Sequence, residues 1–339
     1  TTVGTTYSPT WEFYVPARNG TAITSAGSIL DVNGDSFGDA LIGSSGTGSN
    51  LGRARLYQGS PSSLATLANT RLTGMDGANA YFGNSVSSAG DVNGDGFTDA
   101  IVGAYLAQAT IGRAYVFLGS AAGLSMTPAT TLTGVDAGGY FGFSVANAGD
   151  VNADGYGDVI VGSPGNRSTG TMGGAAFVYY GGAAPDSRAD ITLRGTGLEN
   201  FGRSVAGAGD VNHDGFNDII VGAPFNPAMG MNTGQVYLFV GSATPVASPA
   251  VSFTNAIGGD ELGTSVTGAG DTNGDDFDDM LVGAHLAPFS GRGGPGSAYL
   301  YVGASSVSPS PRLTFRGVAG DDFGAAVALR FRLPVRFGG

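Results

Sequence analysis

The residues with chemical potential come in five copies of one nine-residue string. They read DVNGDSFGD from Asp31, DVNGDGFTD from Asp91, DVNADGYGD from Asp150, DVNHDGFND from Asp210 and DTNGDDFDD from Asp271. Their starts are 60, 59, 60 and 61 residues apart. Side-chain oxygens recur at positions 1, 3, 5 and 9, and the backbone carbonyl of position 7 adds another. Such a set suits a hard cation taking roughly six to eight oxygens at about 2.3–2.6 Å. The ligand sets are Asp31, Asn33, Asp35, the Phe37 carbonyl and Asp39; Asp91, Asn93, Asp95, Phe97 and Asp99; Asp150, Asn152, Asp154, Tyr156 and Asp158; Asp210, Asn212, Asp214, Phe216 and Asp218; and Asp271, Asn273, Asp275, Phe277 and Asp279. The last Asp takes the bidentate place, and the aromatic ring at position 7 is expected to pack under its loop. Ca²⁺ is expected, up to five ions; Mg²⁺ prefers a tight octahedron with retained waters. An EF-hand is excluded, because its Glu place holds Ile42, Val102, Val161, Val221 and Val282.

The charge supports a cation. The chain has 15 basic and 27 acidic residues, so 15 − 27 = −12, and 15 of those acids sit at ligand positions. Three Asp in nine residues repel one another unless something neutralises them. Position 6 needs a sharp turn with φ > 0, which Gly96, Gly155 and Gly215 adopt freely. Ser36 and Asp276 stand there in loops one and five, at a cost on the order of 1 kcal/mol. Loop one is therefore expected to bind weakest. In loop five, the extra charge of Asp276 and Asp278 is expected to offset the strain.

The elements that position these loops repeat in register. Before the loops lie Phe82-Gly83, Phe141-Gly142, Phe201-Gly202 and Leu262-Gly263, with Ala22-Ile23 in the first unit and Phe323-Gly324 opening a sixth. After them come short apolar runs (ALIG, AIVGA, VIVGSP, IIVGAP, MLVGA), then alternating aromatic runs such as RAYVFLG, then a third run such as TLTG. Each is short, β-branched or aromatic, and bounded by turn residues, so each reads as a strand. The chain is expected to be all-β. One unit of about 60 residues makes a four-stranded antiparallel sheet that cannot bury both faces alone; stacked radially it can, as a β-propeller. The small-residue strand after each Phe-Gly pair lies innermost and the LTG strand outermost. The repeats run approximately 22–73, 82–133, 141–194, 201–254 and 262–315. A partial sixth, 323–339, is expected to pair with an N-terminal strand at 10–15, giving about six blades in one domain over 1–339, or seven if the chain is a fragment.

These residues resemble a known family. The Phe-Gly pair, the DxNxDGxxD loop and the VGAP run at this spacing look like the FG-GAP repeats of the integrin α-subunit β-propeller. The resemblance implies a calcium-stabilised extracellular propeller used in adhesion or ligand recognition. Relatives outside animals are mostly secreted or surface bacterial proteins, and a few carry lyase or phospholipase activity. The absence of Lys and Cys looks more like a bacterial secreted member than an animal integrin. Integrin propellers have seven blades, more than this chain can fill.

Composition narrows the function. No Cys means no thiolate metal site or Cys nucleophile, and no Lys means no Schiff base or P-loop lysine. Two His residues, His213 and His285, cannot build a multi-histidine site, and both read as loop residues. Ser45 lies in a Gly-x-Ser-x-Gly string, but among small loop residues. Glu12, Glu199 and Glu261 read as surface carboxylates. No enzyme is expected. An acidic chain without a long apolar run points away from nucleic acid and membrane insertion. A monomer that is secreted or on the cell surface is expected, binding an unknown protein or glycan through the variable loops opposite the Asp loops. The candidate contacts are Tyr105, Asn166, Arg167, Phe225, Met229, Met231, His285, Phe289 and Arg292. The alternatives are a structural module of a larger surface protein and a polysaccharide-degrading domain.

Overall fold

The computed structural model describes residues 30–167, 173–227, 232–254, 260–286, 294–318 and 322–328. Among the described residues, nineteen strands form five antiparallel meanders. Blade one contains β1 (Ala40–Ser44), β2 (Arg53–Tyr57) and β3 (Thr70–Thr73). Blade two contains β4 (Val86–Gly90), β5 (Asp99–Ala104), β6 (Arg113–Phe117) and β7 (Thr130–Thr133). Blade three contains β8 (Ser144–Gly149), β9 (Asp158–Ser163), β10 (Ala175–Tyr179) and β11 (Ile191–Arg194). Blade four contains β12 (Ser204–Gly209), β13 (Asp218–Ala223), β14 (Gln235–Phe239) and β15 (Val251–Thr254). Blade five contains β16 (Ser265–Gly270), β17 (Asp279–Ala284), β18 (Ser297–Tyr301) and β19 (Leu313–Arg316). The expected Ala22-Ile23 strand, residues 10–15 and residues 329–339 lie outside the described residues.

The first strands of successive blades touch, β4 with β8, β8 with β12, and β12 with β16, so these small-residue strands line the centre. The third-run strands pair only with the strand before them and lie at the rim. This is the β-propeller that the repeats predict. The core sits between blades rather than within them. One cluster joins Phe141, Val145 and Phe177 of blade three to Ile101 and Val116 of blade two, and equivalent clusters fill the next two interfaces.

The Phe-Gly pair is an inter-blade lock. Phe82, Phe141 and Phe201 are at most 1% exposed. Each bridges in parallel to a glycine of the preceding blade, Phe82 to Gly52, Phe141 to Gly112 and Phe201 to Gly174. The glycine of the VGA run completes the lock. A Cβ on Gly103 would stand 2.1 Å from the Gly142 carbonyl oxygen of the next blade, so only glycine fits.

The described arc ends in apolar faces. Ile42 is 52% exposed, whereas its equivalents Val102, Val161 and Val221 are fully buried. At the far end Phe315 is 44% and Phe323 40% exposed, although Phe253 and Phe201 at the same positions are at most 1% exposed. Val327 packs against blade five, so the chain begins to cover that face.

Candidate functional site

Each Asp loop leaves the inner strand through a bulge. The pairing slips between Ser88 and Gly90, between Asn147 and Gly149, and between Gly207 and Gly209. Gly90 takes φ +78°, which a bulge of this kind requires, and the next residue is loop position 1. The turn at position 6 is as the sequence predicts: φ is +88° at Gly96, +71° at Ser36 and +69° at Asp276. Position 4 is also left-handed, including Ala153 at +57° and His213 at +59°, a second strained site that the motif does not announce.

Within a loop the carboxylates are held by backbone N–H groups. Asp91 accepts from Asp95 and Gly96 at 3.0 and 2.8 Å. Asp95 accepts from Phe97 and from the Asn93 amide at 3.0 and 2.9 Å. Asp99 accepts from Val92 and from Gly119, at the end of β6, at 2.9 and 2.8 Å. Asp158 and Asp218 repeat this with Gly181 and Gly241. In loop five the Thr272 hydroxyl also donates to Asp279.

Among the described residues these carboxyl groups have no basic partner. Asp99, Asp158, Asp218 and Asp279 are fully buried, and the ion pairs among the described residues lie elsewhere, at Arg113–Asp76 and His285–Glu261. Burial, aided by the charges of Asp95 and Asp91, pushes Asp99 up to about 7. Burial likewise pushes Asp158 up to about 8 and Asp218 up to about 7. In loop one Asp31 is 7% exposed and its Oδ1 accepts no hydrogen bond, leaving a buried acceptor open. Buried, mutually repelling, all-oxygen loops fit a hard cation. The N–H bonds to Asp99 leave lone pairs on both oxygens. Among the described residues no three Asp, Glu or His groups converge on one point. The loops therefore present donors without closing them into a cage.

The loops are also linked to one another. The position-8 N–H groups of Thr98, Gly157, Asn217 and Asp278 donate to the position-1 carbonyls of the preceding loops at 2.8–3.2 Å. The aromatic ring at position 7 reaches the neighbouring loop instead of lying under its own. A Cβ on Gly34 would meet the Phe97 ring at 3.0 Å, and one on Gly94 would meet Tyr156 at 2.7 Å. His213 is exposed as expected, and its Nδ1 lies 2.8 Å from the Asp276 carbonyl of loop five. Asp278 does not simply add charge to loop five: its carboxylate accepts from the Asp210 N–H of loop four at 3.0 Å.

At the other end several expectations change. Glu199 is not a surface carboxylate. It is 1% exposed and accepts hydrogen bonds from Thr196, Tyr237 and Asn226 between blades three and four. Asn166 is 2% exposed and makes no open contact surface. Arg167 is exposed, and Tyr105, Phe225 and His285 are half-buried. Glu12, Met229, Met231, Phe289 and Arg292 lie outside the described residues. Ser45 lies in a turn after β1, with no nucleophile elbow.

The chain matches the FG-GAP repeat family over residues 82–117, 141–179, 201–239 and 262–301, which are blades two to five from the Phe-Gly pair, Leu262-Gly263 in blade five, to the third strand. It is similar to integrin alpha-5 of Xenopus laevis, 32% identical over 228 residues, covering 63% of this chain and 21% of the relative. Human integrin alpha-7 is 35% identical over 230 residues, covering 63% and 18%. Mouse integrin alpha-IIb is 37% identical over 156 residues, covering 42% and 15%. The chain thus spans about a fifth of the length of these relatives. Among the described residues no helix is long and apolar enough to cross a membrane. With a matched repeat on each of four successive blades, the chain is an FG-GAP, integrin-like β-propeller.

Proposed function

We propose that this propeller is a calcium-stabilised, extracellular recognition module that binds its ligand without chemical turnover. Ca²⁺ occupies the Asp loops at one end, and the variable loops at the other end meet a protein or glycan. The buried carboxylates of the Asp loops carry the proposal, since Asp99, Asp158, Asp218 and Asp279 have no basic partner among the described residues. Residues at positions 1, 3, 5 and 9, with the position-7 carbonyl, hold the ion. The ion supplies positive charge and fixes the loop; the chain supplies the N–H bonds that orient the acids beforehand. The similarity to integrin alpha chains supports the extracellular, adhesive reading.

Melting in excess chelator and in millimolar CaCl₂, with a calorimetric ion count, tests this. Each filled site is expected to add about 2.7 kcal/mol when calcium is a hundredfold above its Kd. Loop one, with Ser36 strained at φ +71°, fills last. A folded protein with no bound ion and an unchanged melting point overturns the metal reading.

A further inference from the structure

Opposite the Asp loops runs a track of side chains that the fold itself does not require. They come from three recurring positions: the residue before the Phe-Gly pair, the residue after it, and the residue that follows the second strand. Tyr105 sits at the middle, with Tyr81 at 5.6 Å, Tyr140 at 6.1 Å and Phe143 at 5.3 Å between ring centroids. The rings are tilted or edge-on to one another, at 55°, 63° and 75°, the arrangement that aromatic pairs prefer. Tyr140 is 38% exposed, and the others are half-buried. The Arg203 guanidinium lies 4.4 Å from the Phe143 ring centroid. Beyond it are Glu261 and His285, 3.8 Å apart, and the His285 Nδ1 is held 3.0 Å from the Thr264 hydroxyl. Burial lowers the Arg203 pKa and the charge of Glu261 opposes that shift, so the two groups feel each other. Four blades contribute in order, two through five.

We propose that this track binds a neutral oligosaccharide. The inference rests on the recognition reading and names its ligand class. A pyranose has an apolar C–H face and a hydroxyl edge. Here aromatic faces adjoin a guanidinium donor, a carboxylate acceptor and an imidazole, which match those two sides. Tyrosine supplies rigid, amphipathic contact area at low entropic cost. Charge selects a neutral ligand over an ionic one. Arg203 and Glu261 offset each other beside uncharged rings, so the track holds no net charge to neutralise a polyanion or a polycation. A track crossing four blades is longer than one sugar ring, so the ligand is an oligomer.

The test uses the whole chain in calcium, titrated by calorimetry with cellohexaose, mannohexaose and chitohexaose. Hexagalacturonate and hexa-arginine serve as the charged comparisons. At least one neutral hexamer is expected to bind saturably. Tyr105→Ala and Tyr140→Ala should each weaken it about tenfold, while Tyr105→Phe, which keeps the ring, changes it less than about threefold. Melting temperature and ion count check that each variant is folded. The proposal is overturned if the folded protein binds no neutral hexamer, if the alanine variants bind as well as the parent, or if either charged hexamer binds more tightly. Release of shortened sugars overturns the non-enzymatic reading. Failure of calcium to raise the melting point removes the metal reading alone, since the sugar titration is judged on protein shown to be folded.

Discussion

At the Asp-loop end, blades two, three and four repeat one bonding scheme, with the position-9 carboxylate accepting at 2.8–2.9 Å in all three. At the other end the backbone is equally constant, but the side chains are not. The residue before the Phe-Gly pair, or before its Leu-Gly equivalent in blade five, has φ of +57°, +55°, +54° and +54°, yet it is Tyr81, Tyr140, Asn200 and Glu261 in turn. One end spends its side chains on fixing the loop. The other holds the turn at this residue by backbone bonds, such as Tyr140 N–H to the Thr110 carbonyl and Phe143 N–H to the Tyr140 carbonyl, leaving that side chain free to differ. Where the main chain alone holds a turn, its side chain is available for a partner.

The largest effect should come from pH without calcium. Asp99, Asp158 and Asp218 hold protons in the folded state up to about 7, 8 and 7, against a reference of 3.8. Between about pH 4 and pH 8 the folded chain therefore binds more protons than the unfolded chain, so its stability falls as pH rises. Denaturant titrations in chelator across that range should show the decline, and calcium should remove it. A flat chelator series would break the comparison, because the Asp-loop end would then carry no uncompensated charge.

Next is Phe141→Ala, which empties a fully enclosed ring site and should cost about 3–5 kcal/mol. Phe323→Ala, at the same repeat position but 40% exposed, should cost markedly less by urea unfolding. Asp158→Ala strips the acceptors from the Val151 and Gly181 N–H groups, at about 1–3 kcal/mol for each buried donor left unpaired. Arg203→Ala, at the variable end, should leave the melting point nearly unchanged. If the two cost the same, the contrast between ends fails. Smallest is Ser36→Gly, expected to gain about 1 kcal/mol by relieving φ +71° and to tighten calcium at loop one.

Much of this was legible in the sequence because it is periodic. Five strings and their flanking runs gave the blades, the strand order and the left-handed turn at Ser36 and Asp276. The contacts between repeats were not legible. Nothing in DVNADGYGD says that Tyr156 lies against Gly94, since a motif describes its own loop and not its neighbour. Asp278 looked like spare charge because its partner, the Asp210 N–H, is 68 residues away. Glu199 looked like a surface acid for the same reason: its partners Tyr237 and Asn226 belong to the next unit. Of the Tyr–Arg–Glu track only Tyr105 and His285 were legible, because the residues around the Phe-Gly pair change from Tyr81 and Tyr140 to Asn200 and Glu261 along the chain.

The Phe-Gly lock has a consequence for how such chains grow. Among the described residues, blades two to four offer Phe-Gly, and blade five Leu262-Gly263, to the blade before, and each meets a strand glycine of that blade, so these interfaces are one joint between unlike halves. A duplicated or deleted unit of about 60 residues carries one complete half of each kind. Blade number can then change by whole repeats without inventing a new interface, and only the point where the ring meets itself must be solved afresh.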